Sequence, residues 1–444
     1  MRDRTYAACG CIARRLLLDP TGGGVVDKGR LVCSLSGVMC TRGAPGSSRA
    51  SFSERQPLRG IAKHPYMPVI LLALFLALLL PACGAPWQAS VAGPDGNYLQ
   101  VDAGVLRELD DFAQALEGRQ AVPLERVLVA AGHTAVDTIS IAVEGTGTLT
   151  SFEWVSVADE AWWLSDGTLL LDGSRVRASC LEAEPAPLLD DVKASITDIA
   201  PTAATALGLS VPSEATGRPL PVPSSADRVA LIFLDGFGCV RYSEALAEGS
   251  IPNLAALGDP LVALTTYPSI TSVSTASLLT GASPDVHGVD RRGIRKTDTE
   301  TLFDVAASAG LRVVAVEGES LAFALRGAEL QLSADLDGNG STDDNVLAKT
   351  LDVLRTGLPD VLFVHFHGID DTGHSHGPGS PEESAAVEEV DAAVGRIVEM
   401  LPEGTLIVVF ADHGMHKIEE EGRLGNHGHL LERDTFIPIL LVVK

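Results

Sequence analysis

From residue 226 onward the chain alternates between short, almost purely apolar runs and longer stretches in which apolar and polar positions recur at helical spacing. The runs are Val229 to Leu234, Leu311 to Val316, Val361 to Val364 and Leu406 to Phe410. Strands buried on both faces read this way, because neither face needs polar side chains. Between them, segments such as Glu383 to Leu401 carry Ala, Val, Ile and Leu at helical spacing with charges in between, as crossover helices require. The pattern predicts an α/β domain over residues 226–444, a mainly parallel sheet flanked by helices.

Residues 84–190 read differently. Thr138 to Val143 alternates, as does the stretch from Trp162 to Leu171, and Gly-rich turns break them up, which predicts a small strand-rich region of unassigned role. Residues 191–225 hold the start of a helix near Pro201 to Leu207. They then run through Pro219-Leu220-Pro221-Val222-Pro223-Ser224-Ser225, an extended linker into the α/β domain.

Charge changes the picture of the N-terminus. The whole chain has a formal charge of -25, but residues 1–66 hold 11 basic and 4 acidic side chains, and residues 67–82 hold none of either. The body that follows is therefore strongly acidic, which argues against binding along a nucleic-acid backbone. Met67 to Ala82 is an unbroken apolar run of 16 residues. That is short of the ~20 that span a bilayer comfortably. With Arg55, Arg59 and Lys63 before it, the run reads as a secretory signal rather than a buried core helix or a plain anchor. Leu80-Pro81-Ala82-Cys83 resembles a bacterial lipobox, which implies cleavage before Cys83, lipidation of its thiol and an extracytoplasmic, membrane-tethered protein. Residues 1–66 have no sustained periodicity and read as disordered or as an upstream start, with Met39 and Met67 as alternatives. Of the seven cysteines, only Cys180 and Cys239 lie in the body, and they read equally well as a disulfide or as two buried thiols.

The chemistry is concentrated late in the chain: eight of the eleven histidines fall between His365 and His429. A metal site needs that density and a solvated face does not. Asp235-Gly236 ends the first apolar run; Asp370 and His374, four apart, follow the Val361 run; Asp412-His413-Gly414 follows the Leu406 run; and Gly425-Asn426-His427-Gly428 comes after it. Open α/β sheets place ligands at the carboxyl ends of their strands. Three carboxylates and three imidazoles without a thiolate suit two hydrolytic Zn²⁺ ions, ~4 Å apart, better than a structural cysteine site. Between the first Asp and the later ligands lies a segment crowded with hydroxyls, Tyr267 to Gly281, in which Ser269, Thr271, Ser272 and Ser274 are alternative nucleophiles or helix caps.

The order of these segments resembles the alkaline phosphatase superfamily, in its type I phosphodiesterase/nucleotide pyrophosphatase branch, over roughly Asp227 to Lys444. The resemblance rests on Asp235-Gly236, Thr271, Ser277-Leu278-Leu279-Thr280-Gly281, Pro284-Asp285-Val286-His287-Gly288, Asp370 to His374, Asp412-His413-Gly414 and Gly425 to Gly428. It implies an alkaline-phosphatase-like fold. One metal would be held by Asp235, Thr271, Asp412 and His413, and a second by Asp370, His374 and His427. Thr271 would be the nucleophile, activated by the first metal, and water would hydrolyse the resulting phosphothreonine. Where many members carry an Asn three residues after the nucleophile to hold a phosphate oxygen, this chain has Ser274, with Ser272 as a further donor. The substrate implied is a small phosphate ester: a diester, or alternatively a monoester or phosphonate. From a different class, the same residues fit an inactive surface lipoprotein that keeps its metals. The absence of Cys-x-Pro-x-Arg or Ser-x-Pro-x-Arg disfavours a formylglycine sulfatase.

Two further features stand apart. Asp198-Ile199-Ala200-Pro201-Thr202 resembles a helix that in this superfamily follows the last strand, which suggests that the element is permuted to the front and packs beside the strand 437–443. Asp335, Asp337, Asn339, Ser341 and Asp343 match a calcium loop or, alternatively, a polar surface turn; position 12 of the loop is Val346 instead of Glu.

Overall fold

A computed structural model describes residues 87–444, apart from 110–113, 117, 147, 223, 224, 320, 337, 339 and 421. The apolar segment 67–82, Cys83, Asp337 and Asn339 lie outside the described residues. Residues 87–444 form one compact unit.

The second half of the unit is built on an eight-stranded sheet. Its order is 194–195, 261–264, 436–443, 405–410, 228–234, 361–366, 313–318 and 329–333. The four apolar runs are four adjacent interior strands of it, and every residue of Val361–Phe366, Thr405–Phe410 and Val313–Gly318 is buried. Strand Arg228–Leu234 pairs in parallel with 361–366 on one side and 405–410 on the other. Phe436–Val443 runs antiparallel to both its neighbours, so the sheet is mainly but not wholly parallel. Helix Pro381–Met400 buries Val387, Val390, Val394 and Ile397, the stripe that the periodicity marks.

The Asp-Ile-Ala-Pro-Thr segment joins this layer. Ala194–Ser195 pairs in parallel with 261–264, at the sheet edge two strands from 436–443. Helix Ile199–Ala206 buries its Ile and four Ala side chains in the same core. It packs against the helices 271–280 and 302–308 and against the strand 405–410, the sheet neighbour of 436–443. Asp198 Oδ2 accepts from the Ser195 amide at 2.9 Å and Asp198 Oδ1 accepts from the Arg218 amide at 2.7 Å. Thr202 Oγ1 accepts from the Leu220 amide at 2.8 Å. The motif's two polar residues therefore fasten the extended stretch 218–220 onto the helix.

The first half, residues 89–185, is a nine-stranded and largely antiparallel sheet organised by one long strand, Ser174–Pro185. Strand Val136–Val143 and the hairpin strands Trp162–Leu164 and Thr168–Leu171 coincide with the alternating stretches. Trp154 and Trp163 are fully buried in its core, which Leu430 and Leu431 from the second half complete. Cys180 and Cys239 are both buried and form no disulfide, and burial pushes the Cys239 thiol up to about 12. Among the described residues, no helix is long and apolar enough to cross a membrane.

The Pro-x-x-His-Gly motif supplies a buried brace. His287 Nδ1 accepts from the Val289 amide at 3.1 Å, which leaves the proton on Nε2, 2.9 Å from Ser277 Oγ. Ser277 Oγ in turn donates to Thr266 Oγ1 at 3.1 Å. A second ring proton has no place here, and burial lowers the imidazole to about 4. The unfolded chain binds that proton near pH 6.5. The native contribution is therefore complete above about pH 6.5 and drains away as pH falls towards 4. His287→Gln should thus destabilise the protein at pH 7, and its Tm deficit should shrink at pH 4.5; a deficit equal at both pH values would contradict the assignment.

Candidate active site

Three adjacent parallel strands deliver the three expected carboxylates to one end of the sheet. Asp235 follows the strand 228–234, Asp412 and His413 follow 405–410, and Asp370 and His374 stand on helix Gly368–His376, just past 361–366. The glycines beside them are steric requirements. Gly236 has a φ of 75°, and a Cβ there would lie 3.0 Å from Asp370 Cβ. A Cβ at Gly414 would collide with the Arg433 carbonyl. His427 follows strand Arg423–Asn426 of a small two-stranded ribbon, which folds it back over the strand ends.

Two groups of donors result. Asp235, Asp412 and His413 each place a ligand atom within 4.8 Å of the others, and Asp370, His374 and His427 do the same. His413 Nε2 lies 3.2 Å from Asp412 Oδ2 and 3.5 Å from Asp235 Oδ1. His374 Nε2 is 3.3 Å from Asp370 Oδ2, and His427 Nε2 is 3.8 Å from Asp370 Oδ1. The His413 and His427 rings stack at 3.7 Å, so the groups share a wall. The structure thus brings together all six expected protein ligands other than Thr271.

The tautomers suit metal binding. His413 Nδ1 donates to the Gly414 carbonyl at 3.0 Å and His427 Nδ1 to the Ser269 carbonyl at 2.8 Å. His374 Nδ1 lies 2.8 Å from the Gly425 carbonyl, nearer than the Arg423 guanidinium at 3.2 Å. A backbone acceptor on Nδ1 leaves the Nε2 lone pair free. Burial, reinforced by His413, holds His427 well below the usual imidazole range, so it is neutral. Asp235 Oδ1, Asp370 Oδ1 and Asp412 Oδ2 are buried without a hydrogen-bond partner. One stranded oxygen on each of three carboxylates is what divalent cations would satisfy, and the nitrogen and oxygen set fits them.

A supporting layer went unread in the sequence. His365 Nε2 lies 3.1 Å from Asp235 Oδ2 and its Nδ1 2.7 Å from Glu317 Oε1. Burial lowers this imidazole, but the two carboxylates outweigh it and push it up to about 10. Asp235 is thereby held by one oxygen with the other left facing the cluster, and despite burial its neighbours His365 and His367 keep it below the usual carboxylate range. The density of histidines signalled His365 and His367; nothing local pointed to Glu317, on a neighbouring strand.

Thr271 is the first residue of helix Thr271–Thr280, and its Oγ1 lies 3.3 Å from His413 Nε2. Ile270, at the N-cap position, offers no side-chain cap. The helix terminus and its dipole therefore face the cluster beside the hydroxyl, an arrangement suited to anions. Ser272 is buried, and Ser274 is fully buried with its hydroxyl 3.0 Å from Thr265 Oγ1. Ser274 is thus engaged within the core, and the helix amides are better placed to hold a phosphate oxygen. In the expected calcium loop, Asp335 accepts from the Gly338 and Gly340 amides at 2.7 and 3.0 Å. Ser341 Oγ accepts from the Asp343 amide at 3.2 Å. Asp343 itself accepts from the His367 and Gly368 amides, both at 2.9 Å, and so braces the helix that carries Asp370.

A cavity of about 530 Å³ borders the cluster at His427 and is lined also by Ile270, Tyr267 and four arginines, Arg126, Arg291, Arg292 and Arg423. Arg126 comes from the first sheet's half and stacks 4.7 Å above the Tyr267 ring. The strand-rich region therefore has a job at the site: it builds one wall.

The sequence matches the family described as type I phosphodiesterase / nucleotide pyrophosphatase over residues 229–309 and 300–439. Over this stretch the chain belongs to that family. Type I phosphodiesterases are phosphoester-acting enzymes of the alkaline phosphatase superfamily, which typically uses divalent metals. The chain is also 40% identical over 81 residues to the human GPI ethanolamine phosphate transferase 3 catalytic subunit, covering 18% of this chain and 7% of that protein. It is 28% identical over 191 residues to the human GPI ethanolamine phosphate transferase 2 catalytic subunit, covering 39% and 18%. The chain thus spans less than a fifth of the length of either relative. Among solved structures it is similar to phosphonoacetate hydrolase from Sinorhizobium meliloti 1021, at 21% identity over 47% of this chain and 61% of that one, with a TM-score of 0.37. Human ectonucleotide pyrophosphatase / phosphodiesterase 5 is similar at 14% identity over 48% and 87%, with a TM-score of 0.40.

Burial, then repulsion from Asp235 and Asp370, pushes Asp412 well above the ordinary carboxylate range. Without a cation it holds a proton that a cation must displace. Zn²⁺ binding should therefore release protons into solution and weaken steeply as pH falls. Calorimetry in buffers of different ionisation enthalpy measures this, and Asp412→Asn should reduce the proton release and weaken Zn²⁺ binding.

Proposed function

We propose that this protein is a metal-dependent hydrolase of phosphate esters that uses Thr271 as its nucleophile and two Zn²⁺ ions, or similar divalent cations. The observation that carries this reading is the convergence of three unpartnered carboxylate oxygens and three Nε2 lone pairs beside a hydroxyl at an uncapped helix terminus. Asp235, Asp412, His413 and Thr271 would hold one cation, and Asp370, His374 and His427 the other. When bound, the two cations supply the positive charge that lowers the hydroxyl pKa and offsets the charge gathering on phosphorus-bound oxygens.

The chain's own groups do the rest. Thr271 Oγ1 attacks phosphorus in line; the Oγ1–P bond forms as the bond to the leaving oxygen breaks, and the ester oxygen departs opposite the threonine. The amides at the start of the helix 271–280 hold the non-bridging oxygens. Water then cleaves the phosphothreonine and restores the hydroxyl. The four arginines of the cavity favour a substrate with further negative charge beyond the scissile phosphate. A pyrophosphate, or a diester that carries another charged group, fits that lining, and a monoester or phosphonate is the alternative.

The similarity to GPI ethanolamine phosphate transferases favours a second reading, in which an alcohol replaces water in the second step. The chemistry at Thr271 is the same, and the acceptor decides. Thr271→Ala should bind its metals normally and lose turnover of bis-p-nitrophenyl phosphate by at least ~10³-fold, in keeping with loss of a nucleophile. Arg292→Ala should raise KM more than it lowers kcat. Wild-type turnover that is insensitive to Thr271→Ala would defeat the hydrolase and the transferase readings together, whereas product appearing only when an alcohol is added would select the transferase.

The lipobox-like segment supports an extracytoplasmic protein tethered through Cys83. In a bacterial host, wild type should label with radioactive palmitate and fractionate with membranes, and Cys83→Ser should not label; an unlabelled wild type would refute the tether.

A further inference from the structure

A second cluster of side chains able to ligate a metal, Asp159, His416 and His429, stands outside the ligand set proposed above. Asp159 comes from the first sheet's half, His416 opens the strand 416–420 and His429 follows the ribbon. One ligand atom from each lies within 4.8 Å of the others. His429 Nε2 is 2.9 Å from Asp159 Oδ1, and His416 Nε2 is 3.5 Å from Asp159 Oδ2.

Both rings are oriented from behind. His416 Nδ1 is 2.8 Å from Asp434 Oδ1, and His429 Nδ1 is 2.9 Å from Glu125 Oε1. Asp434 and Glu125 are buried, and each is itself anchored by a backbone amide: Asp434 Oδ2 accepts from His429 and Glu125 Oε2 from Leu430. A carboxylate on Nδ1 with Nε2 turned towards a common point is the arrangement that fixes the tautomer and raises the basicity of a metal-binding imidazole. His416 is 1% exposed, and its Nε2 has no hydrogen-bond partner. That stranded nitrogen is the independent sign of a missing ligand. Asp159 is 40% exposed, which leaves an open side for water or an exogenous ligand.

We propose that Asp159, His416 and His429 bind a third divalent cation, of the Zn²⁺ class given two imidazoles and one carboxylate, that clamps the first sheet to the wall of the substrate cavity. The clamp reaches the cavity through two residues that line it: His429 itself, and Asn426, whose Nδ2 donates to Asp159 Oδ1 at 3.2 Å. The alternative is a metal-free ion-pair hub, in which Asp159 sits between two imidazolium rings.

Metal analysis of the full chain separates them. The protein is stripped with chelator, reloaded with Zn²⁺, passed through a desalting column and assayed by mass spectrometry for bound zinc. Asp159→Ala, at a half-exposed position, and His416→Ala should each hold one ion fewer than wild type. In the Asp235→Asn/Asp412→Asn/Asp370→Asn background, which empties the candidate active site, an ion should remain and should vanish when Asp159→Ala is added. Equal zinc in wild type and Asp159→Ala would overturn the proposal, as would a triple variant that holds none. The triple-variant arm reads the third site alone, so its outcome does not depend on whether the Thr271 chemistry is correct. If His416→Ala fails to fold, the Asp159→Ala comparison still decides.

Discussion

Three carboxylates crowded into a buried space, each with an oxygen that nothing in the protein satisfies, are the constraint on which the rest of this structure turns. A buried carboxylate is costly unless paired, and like charges side by side compound the cost. Asp235 finds relief in His365 and Asp370 in His374, whereas burial and repulsion from these two carboxylates push Asp412 well above the ordinary range. The fold pays for the arrangement in advance of any cation, through the rigid neighbours of the central strand. Parallel pairing of 228–234 with both 361–366 and 405–410 fixes the separation of the three strand ends.

Around that centre, polar side chains hold one another in graded layers. Glu317 holds His365, which holds Asp235; Asp343 braces the helix under Asp370; backbone carbonyls set the tautomers of His413 and His427. Each outer contact determines which atom the inner residue presents. The same logic recurs at Asp159, His416 and His429, where Asp434 and Glu125 play the outer part. Flanking both is the arginine-lined cavity, which reaches His427 of one group and His429 of the other and places positive charge on a strongly acidic body.

The central sheet was legible because strands buried on both faces leave continuous apolar runs, and the four runs are four adjacent interior strands. The candidate ligand residues could be picked out because each falls immediately past such a run or in the histidine-rich tail, and the fold draws them into two groups. The outer layer was not, since its partners are far apart in sequence: Glu125 meets His429 across 304 residues, and Glu317 meets His365 across 48. No local spacing encodes those meetings. Ser274 shows the reverse limit, for its position relative to Thr271 suggested a phosphate donor while its hydroxyl turns to Thr265. The helix at 199–206 was recognised by its residues, but only the fold shows it lodged against the strand 405–410, the neighbour of the last one.

The most direct test of a charge-driven two-cation centre is anomalous diffraction at the zinc edge from crystals of the zinc-loaded protein. The account predicts one peak among Asp235, Asp412 and His413 beside Thr271, and another among Asp370, His374 and His427, ~4 Å away. Zinc-loaded crystals without density at either position, their three stranded oxygens bonded to ordered water, would contradict it.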